Sequence, residues 1–346
     1  MRSLASLTGY QRLGLVTIVG ILGLVVLGGT VRVTDSGLAC PDWPLCYGEL
    51  FPGGPYVSEG QIFESFQVYL EWTHRLVASV MGLIILAFVA GAWMRHRDRR
   101  WVVLPASLGL VALAIQVVLG GLTVTQDLDA GIVASHLSVA LIIILLLTAA
   151  WLATFSHVSA GAGTSTPQRL SLPRPSPRLV RWSLASMVGL LALMVLGGYV
   201  SGTEAAFYCN AEWPLCNGAL FPEGRNAGVQ VSHRLMAVVV GLIVLGFWVV
   251  ALRERRSQPG AYQLVSLLLL LFIAQGLLGA ATQWTTLADW SRVVHLTVGA
   301  LTWVTVVLVV GLLVYGAAWF PSMTRRMALP AFFPDRLSVR ESQPGD

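Results

Sequence analysis

The sequence predicts an all-α polytopic membrane protein, with eight transmembrane helices arranged as two parallel, pseudo-two-fold four-helix bundles. Three observations lead there. Of 346 residues, 55% are hydrophobic and 11% charged, with a mean hydropathy of +0.73; a soluble domain carries about 25% charged residues. Eight apolar runs come close to the roughly 20 residues that a helix needs to cross a bilayer. The second half of the chain repeats the first. A transmembrane barrel would read as short alternating strands instead.

The spans fall at residues 13–33, 69–94, 101–124, 131–154, 182–201, 229–252, 262–282 and 293–315. Taken in order, each span of the first half has a counterpart in the second. Span one ends in "LGGTV" from Leu27 and span five in "LGGYV" from Leu196, an offset of 169. Span two opens with "THRLVASVMGLI" and span six with "SHRLMAVVVGLI", an offset of 159. Spans three and seven share "QVVLGGLT" and "QGLLGAAT" from Gln116 and Gln275, again 159 apart. Spans four and eight carry "SHLSVAL" and "VHLTVGAL", which align His136 with His295 at the same offset of 159. An even number of spans per unit makes the two units run the same way, as a parallel repeat about an axis normal to the membrane.

The expected domains are an N-terminal unit over 1–155, a Pro/Ser/Gly-rich linker over 156–180, a C-terminal unit over 181–318 and a disordered tail over 319–346. The net charge of +5 comes from arginine alone, since the chain has no lysine. The arginines cluster at the N-terminus, in "RHRDRR" (95–100), in the linker, in "RERR" (253–256) and in the tail, whereas 33–74 has none. That is a topological pattern and not a nucleic-acid footprint: both termini are expected in the cytoplasm and the "WPLC" loops outside. The first span is too long for a cleavable signal peptide and lacks a small-residue cleavage site.

The two outer loops, "CPDWPLCYGELFPGG" and "CNAEWPLCNGALFPEG", hold all four cysteines. An oxidising outer face favours the intraloop disulfides Cys40–Cys46 and Cys209–Cys216. Zinc ligation or free thiols are the alternatives, and no histidine lies within either cysteine pair.

Four of the six histidines obey the repeat: His74 and His136 in the first half, His233 and His295 in the second, 62 residues apart in each. They fall in the first turn or two of spans two, four, six and eight, all near the outer surface. An ionisable group inside a span marks a function or a buried partner. Paired histidines from facing helices can hold a heme iron through both axial positions; imidazole also suits copper and zinc, and structural or proton-relay roles stay open. His96 and His157 read as solvated flank residues. Arg75 and Arg234 follow two of the candidate ligands and could meet heme propionates or snorkel to lipid phosphate. Glycines 28–29, 120–121, 197–198 and 279 would admit close helix packing or a flat macrocycle. Glu71 stands three residues before His74, on the same helix face, and Gln230 takes the equivalent place before His233. Only Glu71 can titrate, which points to a reactive first half; a helix-start acid favoured by the dipole is the plainer reading.

"GGTVRVTDSGLACPDWPLCYG", "EWTHR", "SHL", "EWPLCNG", "SHR" and "VHL" together resemble the heme A synthase family, over all eight spans and both loops. The resemblance implies a bacterial plasma-membrane enzyme that oxidises a methyl group of heme O to a formyl group, through successive hydroxylations, to supply heme A to terminal oxidases. It implies that His74 and His136 bracket the substrate heme, that His233 and His295 hold a heme b cofactor with its iron, and that Glu71 is the essential acid. Cys40 and Cys46 match the bacterial form with a first-loop disulfide. Expected partners are heme O, membrane lipid, heme O synthase, oxidase assembly factors and an electron-transfer partner that the sequence does not name. A bis-histidine diheme b-type electron-transfer cytochrome explains the same histidines but gives Glu71 no task. A transporter would place its polar groups near the midplane on broken helices, and none of the spans is expected to hold a mid-helix proline.

Overall fold

Eight long helices carry the fold in a computed structural model, which describes residues 7–53, 57–58, 61–62, 64–155, 175–209 and 211–315. They are α1 (Gly9–Val33), α2 (Ser65–His96), α3 (Arg100–Thr125), α4 (Ala130–Ala153), α5 (Pro177–Gly202), α6 (Arg225–Arg253), α7 (Pro259–Trp284) and α8 (Asp289–Tyr315). All eight are long and apolar enough to cross a membrane. Described β structure is limited to the antiparallel pair Val57–Ser58 and Gln61–Ile62 and two single bridges in the outer loops.

Local signals explain the helix ends. Thr8 and Gln11 form a reciprocal capping box at the start of α1. Asp129 accepts from the N–H groups of Gly131 and Ile132 and so starts α4. Ser176 accepts from the Leu179 N–H, with Pro177 at the first helical position of α5. That start lies inside the linker expected over 156–180, whose residues up to 174 fall outside the described residues, as does the tail from 316. Helices α2 and α6 also begin a turn earlier than their apolar runs, because polar residues occupy their first turn. His74 and His233 therefore stand at the tenth and ninth helical residues, deeper than the first two turns. Besides Pro177 and Pro259 at the first positions of α5 and α7, one proline lies inside a span: Pro105 sits in the second turn of α3, where it removes one backbone donor near the helix start.

Helix neighbours follow the repeat. Within the first four, α1 touches α2 and α4, and α3 touches α2 and α4; α5 to α8 make the corresponding set of contacts. The two sets meet through α1–α8, α4–α5 and α4–α8. Helix α8 is consequently the most enclosed, with 67% of its most apolar window buried against 17% for α7. Trp303 of α8 is fully buried and donates its indole N–H to the Leu141 carbonyl of α4 at 3.0 Å, which satisfies its one polar atom inside the seam.

Tandem glycines let this seam close. A methyl group on Gly29 would lie 2.3 Å from Leu296 Cδ1 and 3.1 Å from its Cγ, so α1 and α8 touch at a bare backbone. The repeat partner Gly198 faces Leu137 and Ala134 of α4 in the same way. Gly23, by contrast, has open space around it. Gly29→Ala is expected to destabilise the protein by about 1–3 kcal/mol through overpacking, whereas Gly23→Ala should be neutral or stabilising by up to about 1 kcal/mol. Thermal unfolding in detergent distinguishes the two.

Candidate functional site

The α3–α4 and α7–α8 turns place two of the four histidines. Asp127 and Leu128 adopt left-handed backbone angles (φ 47° and 57°), as do their repeat partners Thr286 and Leu287 (φ 50° and 61°). Each tight turn brings a new helix directly beside its predecessor, with His136 and His295 each at the seventh helical residue.

Each candidate ligand rests on a glycine of a neighbouring helix. A methyl group would approach the ring Cε1 to 2.7 Å from Gly28 (His74), 3.2 Å from Gly120 (His136), 2.9 Å from Gly197 (His233) and 3.2 Å from Gly279 (His295). Four imidazoles therefore lie in four notches that only glycine leaves open. All four rings are partly buried, yet every Nδ1 is covered and has no hydrogen-bond partner among the described residues. On the Nε2 side, Gln116 lies 3.2 Å from His136 and Gln275 lies 3.3 Å from His295. His74 and His136 are within electrostatic reach of each other, and so are His233 and His295. Among the described residues no three His, Cys, Asp or Glu side chains converge on a metal-sized point. Two histidines per half, with no third such side chain converging on them among the described residues, would suit a metal that arrives with four ligands of its own. The notches, the covered ring nitrogens and the two-ligand sets fit a heme.

Both outer loops close by disulfides, Cys40–Cys46 and Cys209–Cys216, with Cα separations of 4.8 and 4.4 Å. After the second cysteine of each pair, the chain reverses in two residues. Tyr47–Gly48 and Asn217–Gly218 all have positive φ, and Cys46 pairs with Glu49 as Cys216 pairs with Ala219. Asp42 accepts from the N–H groups of Tyr47 and Gly48, and Glu212 from that of Gly218.

The two arginines expected near propionates hold the outer loops in this structure. Arg75 donates to the carbonyls of Asp42 and Leu45, at 2.5 Å each, and to that of Cys40 at 3.1 Å. Arg234 donates to Pro214, Leu215 and Glu212 at 2.8–3.0 Å. Their donors face the loops because the disulfides fold the loop carbonyls over the helix that carries the arginine. Each guanidinium is a clasp between loop and ligand helix.

Glu71 is buried at 3% exposure and joins the first clasp. Its Oε1 accepts from Arg75 Nη2 at 2.5 Å and its Oε2 from the Cys40 N–H at 2.8 Å. The carboxylate therefore sits between the disulfide and the helix turn that carries His74. Gln230 is equally buried, and its Oε1 has no partner among the described residues. Tyr47, which the sequence reading passed over, belongs to this corner. Burial raises its phenol above the ordinary range, and the negative charges of Glu71 and Asp42 add to the effect. Its signal was present in "CYG" against "CNG", the one loop position where an aromatic replaces an amide at the turn.

The chain is similar to proteins of known name over most of its length. A family model described as COX15-CtaA, cytochrome oxidase assembly protein, matches residues 11–307. A heme A synthase of Shouchella clausii is 27% identical over 281 residues, covering 79% of this chain and 86% of that protein. A heme A synthase of Chelativorans sp. is 29% identical over 304 residues (77% and 80%), and one of Methylobacterium sp. is 30% identical over 323 residues (80% and 84%). The matched stretch takes in all four notched histidines, both disulfide loops and Glu71, so the chain belongs to the COX15-CtaA family of cytochrome oxidase assembly proteins.

Proposed function

We propose that this protein is a heme A synthase that converts a methyl group of heme O into a formyl group, with the substrate in the first half and a resident heme b in the second. The observation that carries this reading is a symmetry and its one break. Two equivalent pairs of imidazoles are each seated on glycine, and only the first pair has a carboxylate one turn away. In this reading His74 and His136 hold the substrate heme, and His233 and His295 hold heme b. The clusters of arginine at the end opposite the loops support cytoplasmic termini and outward-facing disulfide loops.

Turning a methyl into an aldehyde removes from one carbon four electrons, which must pass to an electron-transfer partner outside the chain, and adds the oxygen of a water with loss of four protons. Bound heme b supplies one-electron redox chemistry that side chains lack. The chain supplies geometry and charge. The glycine notches set the position of each imidazole before any ligand must be oriented. Glu71, held by Arg75 and the Cys40 N–H, is an anion fixed in place next to the substrate ligand, able to stabilise positive charge that develops on the carbon under attack. Its fixed partners keep the carboxylate from swinging away as that charge grows. The disulfide loop lies over the same corner and screens it from bulk water. Gln230 fills the matching space in the second half without charge, as befits a site where heme is kept and not changed.

Glu71→Gln is expected to leave the second-half heme bound and to reduce heme A formation by at least tenfold, read by chromatography of extracted hemes from cells that make heme O. Extracts that contain heme b alone, with wild-type protein and heme O present, would instead favour an electron-transfer cytochrome. Gly197→Ala should push the His233 ring by several tenths of an ångström and lower heme b content selectively, while the same change at Gly23 should leave it intact. Soret absorbance per protein measures that outcome.

A further inference from the structure

Two other arginines break the repeat, and both lie where the halves meet at the loop-bearing end. Arg32 is in the last turn of α1, and its repeat partner is Ser201; Arg292 is in the first turn of α8, and its repeat partner is Val133. Arg32 reaches across the seam, donating from Nη2 to the Ser201 carbonyl at 3.4 Å, while its Nε is buried and has no partner among the described residues. Arg292 donates to the Val33 carbonyl at 3.1 Å, one residue from Arg32, and the two guanidiniums feel each other's charge. Among the described residues their paired acids are Asp35 and Asp289, each at 3.6 Å and with side chains 82% and 61% exposed. Such loose surface pairs neutralise little of a charge.

Two like charges thus sit side by side, partly out of water, with a spare buried donor between the halves. That arrangement calls for an anion with more than one oxygen. Arg292 stands one turn before His295 on the same helix, and Arg32 stands one turn beyond Gly28 and Gly29, the latter packed on Leu296. Arg292 therefore ties the site to the second-half ligand helix, while Arg32 reaches it from α1, whose Gly28 seats His74. The equivalent corner of the first half offers Ser201 and Val133, which carry no charge.

We propose that Arg32 and Arg292 form a carboxylate seat that binds a propionate of the heme held by His233 and His295. This rests on the ligand assignment above. It also deepens that assignment: the second heme is retained by charge as well as by its axial bonds, while the substrate heme, which must leave after conversion, meets no arginine at the repeat positions Ser201 and Val133. A lipid phosphate offers similar chemistry, and the test separates the two.

The purified full-length protein, stripped of heme, is titrated with heme b and with its dimethyl ester, in neutral and in anionic lipid nanodiscs. Arg32→Gln and Arg292→Gln are each expected to weaken binding of the free-acid heme by about tenfold to a hundredfold, the range for a lost charge-assisted hydrogen bond. Neither should change binding of the ester, which also reports that the variants are folded. Arg→Lys at either position should recover part of the loss. Equal weakening for acid and ester would assign the arginines to structure alone and overturn the proposal. So would unchanged affinity for the acid, or a loss that follows anionic lipid and not the propionates. The ligand assignment is judged separately: His295→Met must alter the low-spin spectrum of the second-half heme whatever the arginine variants do.

Discussion

An imidazole inside a membrane bundle needs space that the close packing of helices does not leave, and glycine is what creates it here. Four times the chain pairs a histidine with a glycine on the helix beside it, so that the ring fills the volume of a missing side chain. Without those notches the helices would have to part to admit the rings, and the seam contacts built on the adjoining glycines would open with them. In α1 and α5 the two demands meet in consecutive residues. Gly28 and Gly197 admit a ring, and Gly29 and Gly198 admit a leucine from across the seam. Packing of the protein and placement of its candidate ligands are thus the same problem, solved at the same positions.

Much of this was legible in the residues. Eight spans, their repeat and the four histidines in register follow from composition and spacing, because hydropathy and duplication are properties of the sequence itself. The disulfide pairing also follows from where the cysteines fall. Helix starts were less legible: α2 and α6 gain a polar first turn that a hydropathy reading trims away, which moved His74 and His233 deeper than expected. Pro105 was passed over because a proline in the second turn of a helix leaves the apolar pattern unbroken.

The arginines show where sequence reasoning ended and why. Arg75 and Arg234 stand beside the candidate ligands in the chain, and adjacency in sequence suggested a shared ligand. Their direction depends on the folded loop, whose carbonyls converge on them only after the disulfide and the two-residue turn have formed. Nothing in the residue string states that convergence. Arg32 and Arg292 are the reverse case: 260 positions separate them (292 − 32), yet the meeting of α1 and α8 brings them together. Only tertiary contact between the two halves could reveal it.

The clasps on the outer loops have a further implication for how such loops can change. Arg75 and Arg234 grip peptide oxygens at Asp42, Leu45, Pro214 and Leu215, and every amino acid offers that oxygen. Attachment of the loop to its helix is consequently blind to what most of the loop side chains are. Side chains such as Leu45 and Leu215 can therefore change while the lid stays fastened, so long as the cysteines, the reversing turn with its Asp42 or Glu212 anchor, and a single guanidinium persist.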